Sequence, residues 1–308
     1  MAQLIAVANM KGGVGKTTTV ISLAETLAAL SIERTTYPQN HPKSVLVVDL
    51  DAQASASFAL AGDAKLSILI RRSRTLDGFL ERYLAQGEEL NLTSLVAPSI
   101  SDVSHRGTPL RIGLLASSPR LRTVERSLIH ALTRAGYSLE RVEHDLFQLL
   151  AQQLSELGTD FDYVVFDCPP GISILTEVAL RMADLTIVPT VPDFLSLLGL
   201  DAFTQNIWGR LKLPSESLPS PKRPPHVLVS KRRDLASHDR NVRELRSRSA
   251  EGRAEYRVFM TEIPEVDGVP DALERVTTCP NYAQKWNGQL RSRLVDLASE
   301  VNSVLEMN

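Results

Sequence analysis

Cysteine is scarce in this 308-residue chain. Cys168 and Cys279 are too few for a disulfide framework, and neither sits in a CxxC pair that would suggest zinc or an iron–sulfur cluster. No run of 18 or more apolar residues is present, so no segment reads as a membrane span. The opening MAQLIAVANMKGG lacks a basic region followed by a long apolar stretch, so it does not read as a signal peptide. An excess of charge of either sign is also missing. Thirty-four Lys+Arg against 36 Asp+Glu leave −2, which argues against a wholly basic nucleic-acid protein but leaves room for a local basic patch. With 43% hydrophobic and 23% charged residues, disordered and fibrous classes are excluded too. These absences lead us to expect a soluble intracellular protein with a sizeable core.

What is present is an alternation of strands and helices. Residues 3–9 (QLIAVAN) are an apolar run of strand length. Behind them Val20, Leu23, Ala24, Leu27 and Leu30 recur at intervals of three and four, as on a buried helix face. Residues 44–50 (SVLVVDL) are nearly continuously apolar, as in a parallel strand covered on both faces. Further strands are expected at 110–115, 163–167, 184–189, 226–230 and 257–261. Helices are expected near 76–86, 120–135, 139–157, 173–182, 195–211, 238–248 and 283–306. Such alternation predicts an α/β fold, a mostly parallel twisted sheet with helices on both faces and right-handed crossovers. Residues 33–43 read as an exposed insertion, and 213–225, with five prolines, as a loop. No repeat or compositional break divides residues 1–308, so we expect a single domain.

The chemistry is concentrated after the first strand, in Lys11-Gly12-Gly13-Val14-Gly15-Lys16-Thr17-Thr18. Met10 stands where the first glycine of GxxxxGK[ST] would be, so the pattern is KGGxGK[ST] instead. The glycines let backbone N–H groups approach phosphate oxygens, and the following helix N-terminus favours an anion. In this arrangement Lys16 reaches β- and γ-phosphates, the Thr17 hydroxyl holds Mg²⁺ and Thr18 faces the α-phosphate. Asp167 ends an apolar strand, which puts its carboxylate at the carboxyl edge of the sheet. Asp49 and Asp51 end another strand two residues apart and can point the same way.

KGGVGKTTT resembles the deviant Walker A motif of the ParA/MinD family of P-loop ATPases, and in particular its ParA/Soj partition branch. Three further segments resemble the family in order: VVDLDAQAS at 47–55 its DxDPQ segment, YVVFDCPPG at 163–171 its Walker B strand, and ADLTIVPTVPDFLSLLGL at 183–200 the strand and helix that follow. The Ile263-Pro264 pair resembles its late IP motif. Departures are Ala52 for the usual proline, Ala54-Ser55 for Gly-Asn, and segments 87–109 and 213–224 that look longer than usual. The resemblance implies a P-loop NTPase fold with ATP or ADP and Mg²⁺ as ligands, and slow hydrolysis without a partner. It implies an ATP-bound homodimer in which Lys11 contacts the partner's phosphates, the work an arginine finger does elsewhere. It also implies that Asp167 holds Mg²⁺ through water, Asp49 supports the magnesium shell, Asp51 orients the attacking water, and Ser230, Pro264 and Glu265 lie near adenine. A solvated lysine at position 11 and a helix cap at Asp51 are the plainer alternatives.

Residues 231–257 carry nine basic and five acidic side chains, and Arg240, Arg243 and Arg246 fall along one side of a helix. Such a strip can neutralise DNA phosphates without reading bases, and the family resemblance implies non-specific DNA binding from this half. A solvated face is the alternative. With a ParB-like activating partner, the expectation is a cytoplasmic, nucleoid-associated segregation ATPase. Stable membrane association is not expected, because the last helix carries Asp296, Glu300 and Glu306. A positioning ATPase for a protein cargo and a MinD-like membrane-cycling ATPase are the competing readings. An iron–sulfur reductase or scaffold of the nitrogenase iron-protein type is disfavoured by the two isolated cysteines.

Overall fold

The computed structural model of the chain describes residues 2–34, 41–85, 87, 88, 90–157, 160–209, 218–266, 273 and 281–307. Its apolar runs form strands β1 (Gln3–Val7), β2 (Val45–Asp49), β3 (Ser104–His105), β4 (Thr108–Pro109), β5 (Ile112–Leu115), β6 (Tyr163–Asp167), β7 (Leu185–Thr190), β8 (His226–Arg232) and β9 (Arg257–Pro264). Seven of these make one sheet, ordered β5-β2-β6-β1-β7-β8-β9 and parallel at every pairing, while β3 and β4 form a small antiparallel hairpin. The helices are α1 (Lys16–Arg34), α2 (Ser55–Arg71), α3 (Leu76–Leu80), α4 (Leu121–Arg134), α5 (Leu139–Leu157), α6 (Ile174–Met182), α7 (Phe194–Trp208), α8 (Ala236–Ala250), α9 (Tyr282–Lys285) and α10 (Gly288–Glu306).

Side chains alternate across the sheet and so build two cores. Val45 and Val47 pack with α1, α2 and α10, whereas Leu46 and Val48 pack with the opposite layer from α3 to α8. Strands buried on both faces explain the unbroken apolar runs in the sequence. The apolar side of α10 is spent on this core, with Leu294, Leu297 and Val301 at 2% exposure or less. Among the described residues, no helix is long and apolar enough to cross a membrane.

The structure departs from expectation where local pattern and tertiary contact disagree. Helix α2 was not anticipated, because Gly62 (φ 67°, ψ 168°) interrupts the repeat between Ala56, Ala59, Leu60 and the later Leu66 and Leu69. The helix expected at 76–86 is a short α3 continued by a π turn at Glu81–Ala85. Segment 87–109 contributes a 3₁₀ turn at Leu92–Leu95 and the β3–β4 hairpin. Residues 35–40 of the first expected insertion, 213–217 of the last, and Cys279 lie outside the described residues.

The helix expected at 283–306 is broken at Trp286-Asn287 so that Trp286 can turn inward. Its Nε1–H donates to Glu25 Oε2 at 2.5 Å, and Lys285 Nζ donates to Glu25 Oε1 at 2.7 Å. Both charged side chains are at most 1% exposed. Removing one member of such a pair strands a buried charge and costs about 3–5 kcal/mol, whereas an apolar replacement of both is close to neutral. Glu25→Leu should therefore lower the unfolding free energy by that amount in urea titrations, and Glu25→Leu combined with Lys285→Met should recover most of it.

Candidate active site

The carboxyl ends of β1, β2 and β6 finish at one level, since Asp167 is in register with Val7 on one side and Asp49 on the other. The glycine loop leaves β1 there and enters α1 at Lys16. Gly13 (φ 74°) and Gly15 (φ 92°) occupy backbone conformations that side chains resist, and the space beside both is open. Asn9 braces the loop entrance. Its amide donates to the Pro189 carbonyl at 2.8 Å, and its oxygen accepts the Lys11 N–H at 3.0 Å. Ser230 donates to the Val14 carbonyl at 2.8 Å and braces the other side.

Thr17 Oγ1 donates to Asp167 Oδ2 at 2.8 Å. Asp167 Oδ1 is buried and has no partner among the described residues. Burial first, and then the nearby Asp49 charge, raise the Asp167 carboxyl well above the carboxylate range. A buried oxygen left unpaired beside a hydroxyl is a hard-donor site of the kind Mg²⁺ prefers, so Thr17 and Asp167 fit the expected cation. Lys16 is also buried, its ammonium donating to the Lys11 carbonyl at 3.0 Å. Burial lowers its pKa, opposed by Asp167 and Asp51.

Asp49 is held by three donors. Oδ1 accepts the Asp51 N–H at 3.0 Å, and Oδ2 accepts both the N–H and the hydroxyl of Ser57, at 2.8 and 2.7 Å. A fully buried carboxylate with both oxygens engaged supports the loop that carries Asp51. Asp51 is half-exposed, and its Oδ1 accepts the Gln53 N–H at 2.9 Å. Ala54, which follows in the left-handed region (φ 53°), occupies a conformation natural to the glycine it replaces.

Lys11 is held within its own chain. Its ammonium donates to Ser196 Oγ at 2.8 Å and pairs with Asp193 at 3.3 Å, at the first turn of α7. Burial alone would raise the Asp193 carboxyl, but bonds from the Ser196 N–H and O–H, together with Lys11, outweigh it and hold the group below its usual value. With both side chains near 40% exposed, this pair is worth at most about 1 kcal/mol.

A cavity of about 390 Å³ opens on one side of the loop, lined by Gly15, Thr18, Ser230, Ile263, Pro264 and Glu265. It therefore gathers the residues expected near the base and the α-phosphate, although the Ser230 hydroxyl is turned to the loop. Glu265 is ion-paired to Arg233, which holds its carboxyl below the usual range. Thr17 faces a second hollow instead, of about 610 Å³, with Gln53, Ala54, Phe58 and Pro119.

The basic strip is divided. Arg240 and Arg243 are exposed on α8, and Arg240 has no ion pair or hydrogen bond among the described residues. Arg246 is pinned to β9, donating to Glu262 at 2.8 Å and the Met260 carbonyl at 3.0 Å. Of the three arginines expected along one side of the helix, Arg240 and Arg243 are thus exposed and Arg246 is partly buried against β9. Missed residues are Asn9, Ser57, Asp193 and Ser196. Only Asp193-x-x-Ser196 left a signal, as a helix-capping pattern.

A glycine loop between a central strand and a helix, with a lysine and a threonine facing a buried strand-end aspartate, defines a P-loop nucleotide-binding domain. A family model described as an AAA domain, AAA_31, matches residues 2–213, and the chain belongs to that family, within the ParA/MinD group of P-loop ATPases. The chain is 30% identical over 209 residues to the chromosome partitioning protein ParA of Myxococcus xanthus, covering 67% of this chain and 58% of that one. It is 26% identical over 208 residues to the sporulation initiation inhibitor Soj of Bacillus subtilis, covering 67% and 64%. The match thus spans less than two thirds of those relatives' length.

Among solved structures the fold is similar to apo McdA of Cyanothece (TM-score 0.64, 17% identity, 97% of this chain and 100% of that one). It is also similar to a plasmid partition protein of Borrelia burgdorferi bound to AMPPNP (0.61, 17%, 98% and 98%). A third is the cobyrinic acid a,c-diamide synthase of Mycobacterium smegmatis with an ATP analogue and magnesium (0.56, 27%, 89% and 92%).

Burial pushes the Asp49 carboxyl up from 3.8 to about 6. The folded state then binds more protons than the unfolded chain between those values, so this contribution to stability is present below about pH 4 and is lost as pH rises to about 6. Asp49→Asn should flatten that part of the stability–pH curve, measured by denaturant midpoints from pH 4 to 7.

Proposed function

We propose that this protein is a nucleotide-switched segregation ATPase. ATP with Mg²⁺ binds at the loop, two copies close over the nucleotide, and the dimer associates with DNA irrespective of sequence until a ParB-like partner stimulates hydrolysis. The observation that carries the reading is the Thr17–Asp167 pair, with its unpaired buried oxygen, set beside Lys16. Thr17 and Asp167 hold the cation, which when bound offsets charge on the β- and γ-phosphates. Lys16 turns from the Lys11 carbonyl to those phosphates, Thr18 meets the α-phosphate, and the base enters the cavity beside Pro264 and Glu265. Asp51, half-exposed at the end of β2, orients the attacking water. Lys11 leaves its weak pair with Asp193 to reach the phosphates of the second copy, so an isolated protomer should hydrolyse ATP slowly.

Lys16→Ala should weaken ATP affinity by roughly two orders of magnitude in titration calorimetry, the cost of deleting a buried phosphate-pairing cation. ATP binding of parental strength by that variant would refute the phosphate assignment.

In sedimentation with ATP and Mg²⁺, Asp51→Ala should run as a dimer and fail to hydrolyse. A Lys11→Ala variant that dimerises and turns over like the parent would defeat the role across the interface.

DNA affinity should appear with ATP, ignore sequence, and fall with salt at a log–log slope of about −0.9 per phosphate neutralised. Replacing Arg240 and Arg243 by alanine should flatten that slope by about one per arginine while leaving ATP binding intact. An ATP-bound dimer indifferent to DNA would move the assignment to a positioning ATPase for a protein cargo.

A further inference from the structure

Ser57 lies in the first turn of α2 at 0% exposure, and the mechanism above gives it no task. Its N–H and hydroxyl both donate to Asp49 Oδ2, at 2.8 and 2.7 Å. The Ser57 hydroxyl oxygen itself accepts the N–H of Ser117, beyond the end of β5, at 2.9 Å. Asp49 Oδ1 in turn accepts the Asp51 N–H at 3.0 Å. One line of hydrogen bonds therefore runs from β5 through Ser57 and Asp49 to the backbone of Asp51.

A carboxylate held by one oxygen can rotate, and one held by both cannot. Two donors on Oδ2 fix the plane of Asp49, which aims Oδ1 at the Asp51 amide. Only a hydroxyl can give a proton to Asp49 while accepting one from Ser117, because serine and threonine carry both functions on one atom. The placement of the Asp49 carboxylate at the N-terminus of α2 adds a favourable helix-end interaction. The geometry points to Ser57 as a positioning residue for ATP hydrolysis. It does not touch nucleotide, and it fixes, through Asp49, the backbone that carries the water-orienting Asp51. This rests on the assignment of Asp51 made above.

The test compares the parent with Ser57→Ala, Ser57→Thr and Asp51→Ala, using ATP and Mg²⁺ and the full chain. Ser57→Ala should lower kcat by roughly 10–100-fold, as loss of a group that orients a reacting one does, with ATP affinity held within about threefold. Ser57→Thr, which keeps the hydroxyl, should restore at least half of the parental rate. Independently of turnover, the Asp51 amide should exchange with solvent at least tenfold faster in Ser57→Ala, read by NMR.

If Ser57→Ala does not fold, Ser57→Cys fills the same space with a poor donor and is held to the same criteria. Parental kcat and an unchanged Asp51 amide in the serine variant overturn the inference, and so does a loss confined to ATP affinity or melting temperature. When Asp51→Ala is inactive and Ser57→Ala is not, only this inference fails. If Asp51→Ala hydrolyses like the parent, or the parent does not hydrolyse ATP at all, the assignment of Asp51 falls and takes this one with it.

Discussion

Two carboxylates, Asp49 and Asp167, stand side by side in the sheet with about 1% exposure or less, and much of the surrounding architecture answers to them. Charges buried this way are costly unless hydrogen bonds and opposite charge offset the lost hydration. The two are treated unequally. Asp49 receives three donors and becomes part of the scaffold. Asp167 receives the Thr17 hydroxyl on one oxygen, feels the field of Lys16, and keeps its other oxygen unpaired. That inequality separates a structural acid from one whose desolvation is left for a ligand to relieve. Parallel pairing of β2, β6 and β1 makes it possible, because it brings both acids and the start of the glycine loop to one edge.

Around this centre the loop is held stiffly and its outer lysine loosely. Asn9 and Ser230 clasp the loop backbone from β7 and β8 side, and both are buried. Lys11, by contrast, rests in a half-exposed pair whose stabilisation is of the order of thermal energy or slightly above. The Glu25–Lys285 pair has similar partners but almost no exposure, and breaking it strands a charge in the core. Burial decides which ion pair can act as a moving part. Lys11, which changes partners in the proposed switch, is half-exposed, and Lys285, which holds the segment before α10 to α1, is buried.

Most of the fold could be read in the sequence because doubly covered parallel strands appear as unbroken apolar runs, and the glycine loop has few other uses between a strand and a helix. What escaped depended on distance along the chain. Nothing local in Trp286 announces that it will bond to a glutamate 261 residues away and break a helix to do so. Helix α2 escaped because one glycine in a left-handed conformation shifts its apolar repeat. Ser57 reads as one more small residue in AQASASF, and its importance appears only when β5 and β2 are brought together. The spacing of Asp49 likewise shows that it points toward the site but not that three donors hold it.

The basic strip shows the same effect of distance along the chain. Counted along 231–257, nine basic and five acidic residues leave an apparent surplus of four. The fold brings other acids to it. Asp201 on α7 takes Arg248 with both oxygens at 2.9 Å, Glu262 takes Arg232 and Arg246, and Glu265 takes Arg233. Three acids from outside the counted segment thus absorb four of its arginines. The basic side chains exposed on α8 are Arg240 and Arg243, which bounds one protomer's grip through this helix to about two phosphates. Two such contacts are too few to hold a polyanion at physiological salt. Two protomers joined rigidly double the number and make the second attachment intramolecular. If DNA is held through α8, the small surplus left after local pairing makes that grip depend on dimerisation, and through dimerisation on the nucleotide.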